Sequence, residues 1–299
     1  MDKKNLATAL TCYILWGILP AYWNLLSDVD SLLILCCRIV FSMVLMIALL
    51  GVSGRMHVFW DAIKNRSQVR YLIPAGIIVT ANWGTFIWAV NAGHVLDCSL
   101  GYYMNPLIVF ALGVILFREK CTKLQLVAVA FAVIGVLISV MAYGSFPYIA
   151  VVLAVTFGVY GTLKKMAHAD PVAGIVVETL VVTPFAVAAA LIFKSESIGS
   201  LGAVSILLLV GGGVATAIPM VLYSTCVNKI PFIVLGFLQY ISPTIALVYG
   251  LMIGETLSQS QLISFIFIGI GLVAFSAAMI VEYREKKATA AEPQTIRNF

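Results

Sequence analysis

Two ionisable side chains interrupt long apolar runs in this sequence: Arg38 in SLLILCCRIVFSMVL and Glu178 in AGIVVETLVV. In hydrocarbon a charged side chain costs about 2.5–3.5 kcal/mol on insertion scales, so it persists where it faces protein or a wet cavity. Arg38 could hold an anionic group or organise such a cavity. Glu178 could titrate as a proton-coupling carboxylate. Each could instead anchor neighbouring helices through hydrogen bonds. A mutual ion pair is open, although their expected depths differ by about 10 Å.

A second constellation joins Ser99, Tyr102, Tyr103, Asn105 and Pro106 with Gly236, Gln239, Tyr240, Ser242 and Pro243. Positions 99, 102, 103 and 106 share one helical face. Proline has no N–H and frees the carbonyl four residues back, here those of Tyr102 and Gln239, so Pro106 and Pro243 are expected helix kinks. Each freed carbonyl needs protein, water or a ligand. Asn82, Trp83 and Phe86 add an amide and two rings at mid-depth, and Tyr13 and Trp16 do likewise in the first apolar run. The candidate substrate-binding set is therefore Trp16, Arg38, Asn82, Trp83, Phe86, Tyr102, Tyr103, Asn105, Gln239 and Tyr240, an amphipathic pocket with a few polar groups. Tyr22, Trp23 and Trp88 fall nearer a boundary, where an interfacial aromatic belt is the expected role. Gly211, Gly212 and Gly213 should permit close helix packing.

No catalytic set emerges. His57, His94 and His168 lie in loops or at the ends of apolar runs, and there is no HExxH, P-loop or nucleophile elbow. An enzyme is not expected, nor a metal or cofactor. The six cysteines show no metal-type spacing, and a disulfide framework is not expected either.

The elements that must position these residues are membrane spans. The chain is 62% hydrophobic and 10% charged, where a soluble domain carries roughly 25% charged residues. Apolar runs of about 20 residues, enough to cross a hydrocarbon core of ~30 Å, follow one another almost from end to end. The pattern predicts ten helices, at 6–26, 31–50, 71–91, 97–117, 124–143, 147–164, 172–193, 202–227, 232–253 and 260–281. With an even number, both termini share a side. That side collects 16 of the 18 Lys and Arg, Lys194 stands opposite, and Arg38 lies within span two. Both termini should therefore be cytoplasmic. The basic loops read as topology signals rather than as a nucleic-acid surface. The polar tail 282–299 has little to bury and is expected to be disordered in the cytoplasm.

Tyr103 and Pro106 align with Tyr240 and Pro243 at an offset of 137, and Glu119, Gln125, Leu126, Ile134 and Gly135 align with Glu255, Gln261, Leu262, Ile270 and Gly271 at 136. Spans one to five (1–143) thus match spans six to ten (147–281). An odd number of crossings per unit turns the second copy upside down, the plan of inverted-repeat transporters. Alternating access to a site between the halves is the expected consequence.

The run NWGTFIWAVNAGHVLDCSLGYYMNP (82–106) and LGFLQYISPT (235–244), with Arg38, Ser42 and Glu178, resemble the EamA-type drug/metabolite transporters, RarD branch. The resemblance covers nearly the whole chain. It implies a secondary transporter, commonly an exporter of metabolites or drug-like compounds, in a bacterial cytoplasmic membrane. Asp97 stands where that branch is expected to carry glutamate. The expected partners are a small-molecule solute, the lipid bilayer and H⁺ as coupling ion, with monomer and homodimer both open. The competing reading is a membrane receptor or assembly subunit, which would show saturable binding without flux.

Overall fold

The computed structural model describes residues 2–92, 94–199, 201–254 and 256–291. It contains α1 (Lys3–Asn24), α2 (Ser31–Val52), α3 (Met56–Lys64), α4 (Arg66–Asn91), α5 (Val95–Ile115), α6 (Lys123–Tyr143), α7 (Tyr148–Ala167), α8 (Pro171–Phe193), α9 (Ser195–Gly199), α10 (Ala203–Val227), α11 (Phe232–Leu238), α12 (Ile241–Met252) and α13 (Gln259–Ala291). Among the described residues ten spans are long and apolar enough to cross a membrane, α11 and α12 together forming the ninth. All ten predicted spans are present. The short helix α3 falls between predicted spans two and three; it is amphipathic, with Phe59 and Ala62 buried and Trp60 exposed. α13 continues past the predicted span to Ala291, and residues 292–299 of the expected tail lie outside the described residues.

Local chemistry sets the helix starts. Asp30 accepts the Leu32 and Leu33 N–H groups at the head of α2, and Asp170 does the same for Val172 and Ala173 at the head of α8. Such a cap satisfies N–H groups that the helix itself cannot. Thr122 and Gln125 form a capping box at α6. At α13, Ser258 Oγ accepts from the Gln261 N–H and the Ser258 N–H donates to Gln261 Oε1. The Gln125/Gln261 identity thus preserves one capping device in both repeats.

The two prolines act differently. α5 runs unbroken through Pro106, whereas span nine divides at Gln239–Tyr240. There the Gln239 carbonyl that Pro243 cannot serve accepts the Ser242 N–H instead, at 3.2 Å.

The helices pack with an internal two-fold relation. Exchanging span n for span n+5 turns the α1–α10 contact into α4–α7, α1–α12 into α5–α7, and α2–α10 into α4–α8, while α2–α8, α5–α11 and α6–α13 map onto themselves. Individual atoms repeat it. Gly76 lies against the Glu178 backbone, and Gly213, 137 residues on, lies against Phe41 and Ser42. Gly17 faces Ile245 as Gly158 faces Ile108, again an offset of 137 between the isoleucines. Asn105 donates to the Ala154 carbonyl on α7, and Ser242, its equivalent, donates to the Tyr13 carbonyl on α1, both at 2.7 Å. Ion pairs follow the same rule: the α2 cap Asp30 pairs with Lys194 after α8, and the α8 cap Asp170 pairs with Arg55 after α2. The chain is two five-helix repeats of opposite orientation.

Candidate functional site

The two ends of the central seam between the repeats differ. Toward the face that carries the chain termini, Tyr13, Tyr160, Tyr223, Tyr240 and Phe232 are almost fully buried. Trp16 of α1 meets Phe157 of α7 edge-on across the seam at 5.8 Å, and Tyr223 of α10 lies 5.5 Å from Trp16 and stacks on Tyr160 at 6.2 Å. This aromatic layer closes the terminal side. Just beyond it Lys164 Nζ donates to Glu178 Oε1 at 2.6 Å, and the Tyr160 hydroxyl lies 3.4 Å from Glu178 Oε2. Both charged side chains are under 6% exposed.

A second latch lies beside the first. Glu119, in the turn between α5 and α6, accepts the Phe232 and Ile233 N–H groups at the start of α11, at 2.7 and 2.9 Å. Its carboxylate also pairs with Lys165 at 3.0 Å. A carboxylate at a helix N-terminus meets both free N–H donors and the positive end of the helix dipole.

Toward the opposite face the seam forms a crevice around Arg38. Its Nε donates to Thr216 Oγ1 at 3.1 Å, and its guanidinium carbon lies 4.2 Å from the Trp83 ring and 5.0 Å from the Trp23 ring. Phe86 and Tyr102 pack edge-to-face at 5.7 Å on the neighbouring wall. Tyr102 is 50% exposed and Arg38 partly exposed, so this part of the seam is less closed than the terminal end. A cleft of about 550 Å³ is lined instead by Asp28 and Asp30, between α1 and α2, and by Ser197 of α9, and by none of these side chains.

Of the residues picked from the sequence, Arg38, Trp83, Phe86 and Tyr102 come together in this crevice, while Trp16 lies in the aromatic layer. Asn82 is buried against α7, donating to the Leu153 carbonyl at 2.9 Å and to Thr156 Oγ1 at 2.8 Å. Asn105 ties α5 to α7 in the same way. Tyr103 turns to the other side of α5, donating to the Pro243 carbonyl at 3.3 Å and packing on Phe265 of α13. Gln239 and Tyr240 sit at the break in span nine and are buried. Arg38 and Glu178 do not pair with each other; Glu178 is held by Lys164.

Tyr103 thus departs from the face expected for it with Tyr102, and other positions carry contacts that the sequence reading does not assign. Lys164, the last residue of predicted span six and one of the 16 terminal-side charges, is buried inside α7, where the α8 carboxylate compensates it. Lys165, counted beside it, is engaged by Glu119. Trp23, assigned to an interfacial belt, rests on Gly212 and against Arg38. A signal for Lys164 was available: one acid in span seven requires one buried partner, and a lysine lies near the end of the adjoining span. Arg297, counted on the terminal side, and Glu255, used in the repeat alignment, lie outside the described residues.

A multi-span helical protein whose two inverted five-helix halves enclose a half-open polar crevice has the architecture of a membrane carrier. The chain belongs to the EamA-like transporter family, whose model matches twice, over residues 3–141 and 146–277. It is 37% identical over 292 residues to the uncharacterized transporter YojE of Bacillus subtilis, covering 96% of this chain and 98% of that protein. It is 35% identical over 288 residues to the protein RarD of Salmonella typhi, covering 95% and 98%. A crystal structure aligned over all of its own chain and 94% of this one has a TM-score of 0.70 at 18% identity, the same fold.

Proposed function

We propose that the protein is a secondary transporter that exports a small metabolite or drug-like amphipathic solute across the bacterial cytoplasmic membrane by alternating access. The single observation that carries this reading is the mismatch between symmetric packing and asymmetric closure. Two equivalent halves are sealed at one end by an aromatic layer and an ion pair and are open at the other around Arg38. Exchanging the two halves' conformations would open the sealed end and close the open one. The transporter names of relatives over nearly the full chain support the same reading.

In this reading both termini are cytoplasmic, as the Lys/Arg bias requires, and the Lys164–Glu178 pair closes the cytoplasmic end. When that end opens, Lys164 moves into water and Glu178 is left able to take a proton, which makes Glu178 the coupling group. Trp16, Trp83, Phe86 and Tyr102 contact the solute, and Asn82, Tyr103, Asn105, Gln239 and Tyr240 shape the helices around it. The test is flux of labelled candidate solutes in proteoliposomes with an imposed pH gradient. The expected result is saturable, gradient-driven flux that loses its pH dependence in Glu178→Gln. Saturable binding with no flux for any bound solute would establish a receptor instead.

A further inference from the structure

Arg38 carries more donors than the protein uses. A guanidinium offers five N–H groups. Nε is engaged by Thr216, and Thr216 in turn donates to the Gly212 carbonyl at 2.8 Å, which orients its lone pair toward Arg38. The two terminal amino groups have no hydrogen-bond or ion-pair partner among the described residues, and they are not among the side-chain atoms sealed from solvent. Contact with the Trp83 and Trp23 rings steadies the guanidinium and leaves its in-plane donors free. A purely structural arginine at membrane depth would direct those donors to a carboxylate or to backbone carbonyls. Of the carboxylates with a basic partner, Asp30, Glu119, Asp170 and Glu178 are each engaged by another lysine or arginine, and Asp97 by His94 and the Tyr143 hydroxyl.

We propose that Arg38 determines specificity and that the solute is an organic anion. Its carboxylate docks on the terminal amino groups of Arg38, and its apolar or aromatic body lies against Trp16, Trp83, Phe86 and Tyr102. The inference rests on the transport reading above and adds the charge of the solute. A planar carboxylate matches the guanidinium fork with two parallel hydrogen bonds. An organic cation meets an uncompensated like charge, and a neutral solute leaves that charge unpaired.

The experiment measures binding of radiolabelled phenylacetate to the purified full-length protein in lipid nanodiscs, with phenylacetamide and phenethylamine as competitors. The three share a body and differ in charge. Phenylacetate is expected to bind about tenfold or more tightly than the amide, with the amine weakest. Arg38→Gln should bring acid and amide to within about twofold, and the wild-type series stands by itself if that variant does not fold. Equal competition by amide or amine, absence of saturable phenylacetate binding, or an acid preference that persists in a folded Arg38→Gln protein would each overturn the proposal. Acid-selective binding without flux in liposomes sinks the transport reading and leaves the anion site standing. Flux of solutes with no preference for the acid does the reverse.

Discussion

Replacing Glu178 by glutamine removes one charge of a buried pair and leaves Lys164 charged in a site where it is 5% exposed. Breaking a buried ion pair in this one-sided way costs about 3–5 kcal/mol. In a carrier the cost falls on the state in which the pair is buried, because Lys164 regains water once the terminal end opens. At about 1.4 kcal/mol per tenfold, the equilibrium should move toward the terminal-open state by a hundredfold to a few thousandfold. The readout is alkylation of Cys226 by a membrane-impermeant maleimide in protein that retains Cys226 and Cys36 as its only cysteines. Cys226 is fully buried among the aromatic layer, and Cys36 is buried in α2 toward the other end. Glu178→Gln should raise the Cys226 rate by at least about tenfold and leave the Cys36 rate unchanged. Joint acceleration of both cysteines would mean general loosening, and an unchanged Cys226 rate would mean that the pair is not a gate; either result refutes the reasoning. Lys164→Met combined with Glu178→Leu removes both charges and should melt at a higher temperature than Glu178→Gln.

Gly76→Ala should lower the melting temperature and abolish transport, because the new Cβ would lie 2.4 Å from the Glu178 carbonyl oxygen; overpacking of this kind costs about 1–3 kcal/mol. Gly84→Ala, with nothing within 4 Å of its added carbon, should be neutral or stabilise its helix by up to about 1 kcal/mol. Asp30→Ala should cost about 1 kcal/mol in thermal unfolding through loss of the α2 cap. The pH dependence at Asp30 has a definite sign. Burial pushes its carboxyl up, but the Lys194 hydrogen bond and the Leu33 and Leu32 N–H groups outweigh it and hold the group below its usual range. Its stabilising contribution is therefore complete above the ordinary carboxylate range and is lost as pH falls through the lowered folded-state value. Lys194→Met should move that loss to higher pH in melting curves taken across acidic buffers. Glu119→Gln should weaken closure of the terminal end, since an amide can accept from the α11 N–H groups with one oxygen only and cannot pair with Lys165; faster Cys226 labelling is the readout.

All ten spans were legible because span length is dictated by bilayer thickness. The repeat was legible from Tyr103, Pro106 and Gln125, although why Gln125 recurs became visible only with the capping boxes. α3 was not legible as a span-length signal, being short and amphipathic. The candidate site was legible in part. Arg38, Trp83, Phe86 and Tyr102 were recognisable as polar or aromatic groups at membrane depth, and they do share one crevice. Asn82 and Asn105 carried the same signal yet direct their amides to carbonyls of α7, because an amide at that depth can serve a neighbouring backbone as readily as a solute. Lys164 was obscured by position: a lysine near a span end looks like a topology signal until the facing helix is known to carry Glu178.

Where the two repeats cease to match, the chemistry of the two gates diverges. Glu178 occupies the position of Phe41, 137 residues earlier, and Lys164 stands six residues after Gly158 as Trp23 stands six after Gly17. The packing glycines Gly76 and Gly213 receive these two sites with the same close backbone approach. One end of the seam is thus closed by a buried ion pair, and the equivalent positions at the other end hold two aromatic rings, Phe41 against Gly213 and Trp23 beside Arg38. A buried ion pair forms only after both charges lose water, whereas rings close on apolar contact alone. Opening the terminal end therefore gains hydration of two charges, and opening the far end gains hydration of one, Arg38. An anion bound at Arg38 changes that balance, because closing the far end over a paired guanidinium no longer buries an unpaired charge. Solute binding is in this way coupled to which end is closed, through side chains that the internal symmetry does not repeat.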